Sequence, residues 1–130
     1  MQYLLKENMI RGIGTDIVET DRISRAIKKD FFLKGAFSES EIAMARKRNT
    51  ESFLAGNFAA KEAFVKALGL GFRGIKLKDF EVLRDEYGKP FIRISNHSNI
   101  HLKDINEKNI YVSISNTKSV AVAMVVIEVD

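Results

Sequence analysis

The chain has no cysteine, so neither a disulfide framework nor a thiolate zinc site can form, and nothing points to an oxidising compartment. Proline occurs once, at Pro90, and Ser/Gly-rich stretches and repeats are lacking, which leaves no linker along which to divide the chain. The most apolar run, Val120 to Ile127, is too short to span a bilayer, and the N-terminus lacks the apolar core and cleavage site of a signal peptide. These absences predict a cytoplasmic protein without membrane residence. At 130 residues, with 45% hydrophobic and 29% charged, the composition is that of one self-folding globular core. The opening MQYLLKEN precedes the first regular segment, so residues 1–8 read as an extension and 9–130 as a single domain.

What is present begins with charge. Lysine plus arginine number 21 against 17 acids, a net +4. Arg22, Arg25, Lys28, Lys29, Lys34, Arg46, Lys47 and Arg48 face only Asp30, Glu39 and Glu41 in the same stretch, so this segment holds a local surplus larger than that of the whole chain. Such a cluster suits an acidic partner, whether nucleic acid, anionic lipid or protein, and is equally the solvated face of a helix. No aromatic residue interleaves Arg46 to Arg48 as a base-stacking surface requires, which weighs against nucleic acid.

Periodicity predicts a short strand at Met9 to Ile13 and a basic helix through Ile23, Ala26 and Ile27, capped by Thr20 or Asp21. After an apolar loop containing Phe31, Phe32 and Phe37, Ser38 and Glu41 have capping-box spacing for a second helix ending near Asn49. The strongest helix covers Ser52 to Leu68, opened by Thr50 and closed by Gly69. Phe80 to Leu83 and Phe91 to Ile94 read as a hairpin, Ile110 to Ser115 as a half-buried strand and Val120 to Val129 as a strand buried on both faces. Helices first and antiparallel strands last predict an α+β fold, with helices packed on a small, mainly antiparallel sheet.

Three constellations bear on chemistry. Gly69 to Gly74 spells G-x-G-x-x-G but follows a helix instead of opening one, so it reads as a loop whose backbone and Arg73 could meet a phosphate. His97 and His101 share helical spacing without a third ligand, which argues against a metal site. Glu62 and Lys66 have the spacing of a helical ion pair contributing about 0.3–0.5 kcal/mol. They also share a line with Leu54 and Phe58 on a helix with little other polar face, and Asp16 sits in a glycine-flanked segment. Two carboxylates from separate elements with a lysine one turn on suit a divalent cation and a phosphate ester.

The segment Gly12-Ile13-Gly14-Thr15-Asp16-Ile17 continuing to Arg22-Ile23, the block FLAGNFAAKEAFVKA from Phe53 to Ala67, Gly88-Lys89-Pro90 and Val112 to Ser115 together resemble the bacterial holo-acyl-carrier-protein synthases, which are small 4′-phosphopantetheinyl transferases. The resemblance runs from Met9 to the end. It implies that family's fold and the transfer of 4′-phosphopantetheine from coenzyme A to a serine of apo acyl carrier protein, against the alternative of a non-catalytic basic module for nucleic acid or an acidic protein. It implies magnesium held by Asp16 and Glu62, Lys66 at the phosphates, and coenzyme A contacts at Gly88, Lys89, Pro90, Ser115, Asn116 and Thr117. It further implies carrier docking on Arg22, Arg25, Lys28 and Lys29, and a homotrimer with active sites between subunits. The family commonly has histidine where Asn116 stands; an amide can donate to a phosphate but cannot titrate near neutrality. The catalytic roles then fall to Glu62 as base, through a water, and to Lys66 as the stabiliser of phosphoryl charge.

Overall fold

The computed structural model describes residues 9–69, 74–95, 102 and 104–129. The proposed extension, most of the glycine-rich loop with Arg73, and both His97 and His101 lie outside the described residues.

The elements run β1 (Ile10–Glu19), α1 (Thr20–Ala26), α2 (Asp30–Ala36), α3 (Glu39–Arg46), α4 (Thr50–Leu68), β2 (Phe80–Arg84), β3 (Pro90–Ile94), β4 (Ile110–Asn116) and β5 (Val120–Glu128). Among the described residues two antiparallel sheets form, one of order β1-β5-β4 and one the β2-β3 hairpin. The α+β expectation holds, with two small sheets in place of one.

α4 is the centre of the core. Thirteen of its residues are buried, among them Leu54, Ala59, Ala63 and Phe64. Its cap is Asn49, whose side chain accepts from Ser52 N, and Thr50 is the first helical residue, its hydroxyl donating to Ala45 O at 3.0 Å. Gly69 closes the helix at φ 74°, a conformation that costs glycine little.

β1 is longer than its glycines suggested. Gly12, Gly14, Asp16 and Val18 alternate toward α4, while Ile13, Thr15 and Ile17 point away. A Cβ at Gly12 would stand 1.8 Å from Ala67 O, and one at Gly14 1.8 Å from Ala63 O. The glycines therefore admit the backbone of α4 onto the strand, and Asp16 lies within β1 instead of at a strand end.

Three other expectations are corrected. α1 has neither Thr20 nor Asp21 as its cap: the strand runs directly into the helix, Glu19 holds the cap position, and Thr20 N donates to Ser119 O at 2.9 Å. The expected apolar loop contains a helix, α2, because Phe32 packs on Phe37 and Phe58 with ring centroids 6.2 and 5.7 Å apart. β5 is buried on one face only; Ala121, Ala123, Val125 and Ile127 point inward, while Val122 and Met124 remain 41% and 45% exposed.

The capping box at Ser38 and Glu41 is present as expected. α3 ends at Arg46, three residues before Asn49.

Candidate active site

Asp16 comes from β1 and Glu62 and Lys66 from α4, and the close approach at Gly12 and Gly14 brings them together. Lys66 Nζ lies 3.1 Å from Asp16 Oδ1 and 3.0 Å from Thr15 O. The helical Glu62–Lys66 ion pair does not form; Lys66 crosses to the strand instead.

Glu62 is half-buried, and its carboxyl is held above the ordinary carboxylate range, first by burial and then by the negative charge of Asp16. Lys66 and Arg22 act in the opposite direction without cancelling the rise. Arg22, read from sequence as a docking residue, thus also lies within electrostatic reach of Glu62.

Among the described residues no group of three or more His, Cys, Asp or Glu converges. Two carboxylates fit magnesium nevertheless, because it keeps several waters and is commonly held by one or two carboxylates with substrate phosphates. Asp16 already accepts one positive charge, that of Lys66, and Glu62 beside it has its charged form disfavoured. A divalent cation would relieve both.

The remaining residues assigned from sequence lie elsewhere on the chain. Gly88 and Lys89 occupy the β2-β3 turn, held by Asp85 Oδ1, which accepts from Tyr87 N and Lys89 N, and by Gly88 at φ 83°. Pro90 opens β3 opposite Arg84. Ser115, Asn116 and Thr117 are exposed at the end of β4. Asn116 Nδ2 donates to Ser52 O at 3.2 Å, and Thr117 Oγ1 accepts from Ser119 N and Val120 N within its turn. Ser52 precedes Glu62 by ten residues of α4, about 15 Å along the axis. One chain therefore holds Asp16, Glu62 and Lys66 at one place and Asn116 at another, toward the start of α4.

Toward the start of α4 lies a cluster that no local sequence pattern announces. Arg84 and Arg48 both sit over the Phe53 ring, with guanidinium carbons 4.4 and 5.4 Å from its centroid. Burial and the Arg48 charge lower the Arg84 guanidinium to about 10. The two arginines are far apart in sequence and meet only through α4 and β2, so no spacing rule could have paired them.

Arg25, Lys28 and Lys29 are exposed with Arg22 on α1 and the turn that follows it.

A family model for the 4′-phosphopantetheinyl transferase superfamily matches residues 12–125. The chain belongs to that superfamily. This transferase is 49% identical over 123 residues to a holo-[acyl-carrier-protein] synthase of Clostridium botulinum (strain Eklund 17B / Type B), covering 93% of this chain and 99% of the relative. The holo-[acyl-carrier-protein] synthase of Neisseria meningitidis superposes with a TM-score of 0.82 at 33% identity, over 93% of this chain and 100% of that one. A holo-(acyl-carrier-protein) synthase of Bacillus anthracis, solved in complex with CoA (3′,5′-ADP), gives 0.79 at 36% identity, over 94% and 99%. The transferase fold thus matches along nearly the whole length.

Proposed function

We propose that the protein is a holo-acyl-carrier-protein synthase, moving 4′-phosphopantetheine from coenzyme A to a serine hydroxyl of apo acyl carrier protein. The observation that carries this reading is the meeting of Asp16, Glu62 and Lys66 on a superfamily member. The serine oxygen bonds to the phosphorus that bears pantetheine. The P–O bond to the other phosphate breaks, and adenosine 3′,5′-bisphosphate departs. Asp16 and Glu62 are the residues that would hold magnesium, which when bound supplies charge neutralisation at the pyrophosphate. The Lys66 ammonium is placed to face the phosphoryl oxygens as negative charge shifts to the leaving group. The Glu62 carboxylate is placed to take the serine proton through a water.

Coenzyme A contacts at Gly88, Lys89, Pro90, Ser115, Asn116 and Thr117 complete the reading. Since Asn116, bonded to Ser52, lies about 15 Å along α4 from Glu62, we infer two half-sites on one chain and place the active site between subunits of a homotrimer. Residues 9–130 are taken as one domain. None of the helices, among the described residues, is long and apolar enough to cross a membrane. We assign the protein to the cytoplasm and to the priming of carrier proteins for fatty acid and lipid synthesis.

Incubating the protein with apo carrier, coenzyme A and magnesium is expected to add one phosphopantetheine mass to the carrier. No mass change, with salt-sensitive binding to DNA or RNA, would replace this reading with the basic binding module.

Acyl carrier proteins are acidic, and the exposed cations on and after α1 suit them. Arg25→Glu with Lys28→Glu is the cleaner test of docking, because Arg22 also acts on Glu62. The pair should raise the KM for carrier about tenfold, and added salt should weaken the wild-type interaction in the same direction. The KM for coenzyme A should not move. Equal changes in both constants would return the cluster to a solvated face.

A further inference from the structure

Glu41 and Lys61 are both fully buried and form an ion pair of 2.6 Å. Lys61 Nζ also donates to Ala36 O at 2.8 Å, Leu77 O at 2.8 Å and Phe80 O at 2.9 Å. Glu41 Oε1 accepts from Ser38 N at 3.1 Å. Its Oε2 accepts from Asn57 Nδ2 at 2.9 Å and from Val82 N at 3.3 Å, and Asn57 Nδ2 donates as well to Val82 O at 2.8 Å. α4 thus inserts two polar side chains one turn apart, Asn57 and Lys61, into the layer made by α2, α3 and β2. No atom of this network belongs to the Asp16–Glu62–Lys66 cluster.

Such a pair adds little net stability over apolar side chains of the same volume, because desolvating two charges offsets their attraction. Its directional bonds, in contrast, accept one arrangement only. That matters here because the other contact of α4 with β2, Phe64 on Phe80 at 4.7 Å between ring centroids, is apolar and imposes no hydrogen-bond direction. Glu62 and Lys66 lie on the same helix as Lys61, and the close contacts of Gly12 and Gly14 with Ala67 and Ala63 make α4 and β1 one body that can shift relative to this layer. The carbonyls that Lys61 binds come from the last residue of α2, the turn before β2 and the first residue of β2.

We propose that Glu41 and Lys61 are a positioning pair for the transfer, locking the rotation and register of α4 against the α2–α3–β2 layer. Glu62 and Lys66 are thereby held at a fixed offset from Lys28 and Lys29, the proposed docking cations of the turn that leads into α2. The inference rests on the phosphopantetheinyl transfer reading. The pair touches no reacting atom; it acts through the helix that bears the site.

The test is the double variant Glu41→Leu/Lys61→Met, which removes both charges together and avoids stranding one. It should still unfold cooperatively, at a lowered temperature because Ala36 O, Phe80 O and Val82 N lose their partners, and it is assayed below that transition. Its kcat/KM for carrier should nevertheless fall about tenfold or more, since small misplacements of reacting groups cost that much. The magnesium concentration giving half the maximal rate should stay within about twofold, because Asp16 and Glu62 are joined through the glycine contacts of β1 and not through this network. A folded double variant with wild-type kcat/KM for carrier overturns the proposal. Should the double variant fail to fold, Glu41→Gln decides: it keeps an acceptor for Asn57 and Val82, and buried Lys61 can shed its proton instead of remaining an unpaired charge. A loss of carrier efficiency at unchanged magnesium dependence supports positioning, and unchanged efficiency overturns it. Wild-type protein inactive in the same assay would instead mark failure of the transfer reading.

Discussion

Asp16→Ala and Glu62→Ala should each reduce carrier modification by about a thousandfold or more while leaving the fold intact. Both residues are ligands in the proposed reaction, and neither fills the core. Asp16 loses only a partly exposed pair with Lys66, whose side chain is 57% exposed, so the stability cost is that of a surface ion pair. Thermal unfolding and mass-shift rates measured on the same variant separate the two roles, and retained turnover in either variant removes the metal assignment. The raised Glu62 carboxyl adds a pH dependence whose sign is fixed. A carboxyl whose folded-state pKa lies above its unfolded value favours folding below that pKa, and the advantage is lost as pH rises through it. Metal-free protein should therefore lose a little stability on passing upward through the Glu62 titration. Magnesium requires the ionised carboxylate, so its stabilising effect should grow over the same interval. At limiting magnesium the rate should fall on the acid side as Glu62 takes up its proton and loses the metal. A magnesium stabilisation independent of pH there would remove Glu62 from the ligand set.

α4 was legible because nineteen residues of strong propensity end in a glycine at positive φ, and tertiary contacts did not oppose the local signal. The Ser38–Glu41 box was readable for a similar reason: both of its hydrogen bonds are local. The Asp16, Glu62 and Lys66 trio was reached through residue type and family motif, and its geometry came only with the fold. β1 was underestimated because Gly12 and Gly14 weaken a strand locally; their function is the contact with Ala67 and Ala63, far away in sequence. α2 was missed because its seven residues hold too little local preference, and Phe32 orders them by touching Phe58 of α4. Lys61 carries the same lesson for the site: a lysine in a helix reads as surface, and only the carbonyls of Ala36, Leu77 and Phe80 make its burial possible.

Met124→Lys should convert the proposed trimer into monomers and abolish carrier modification, although residue 124 touches neither half-site. The outer face of the β1-β5-β4 sheet is the reason. Register places Ile13 beside Val126, Thr15 beside Met124 and Ile17 beside Val122. On the other side of β5, Tyr111 flanks Val126 and Ser113 flanks Met124. Ile13, Ile17, Tyr111, Val122 and Met124 are 56%, 68%, 49%, 41% and 45% exposed, so apolar side chains from all three strands stand on the face opposite α4. A contiguous apolar face of this kind is the mark of an interface, unlike scattered single residues. Association there would also supply the second chain that the proposed site calls for, since Lys66 and Asn116 lie apart on one chain. Lysine at position 124, in the middle strand, would bury a charge without a partner in every interface. Within one chain the residue points away from α4, so the Asp16–Glu62 geometry and the unfolding temperature of the isolated subunit should be preserved. Light scattering with activity on the same sample decides the matter. Wild-type protein that is monomeric and active, or a Met124→Lys variant that is monomeric and active, would show that a single chain holds the complete site.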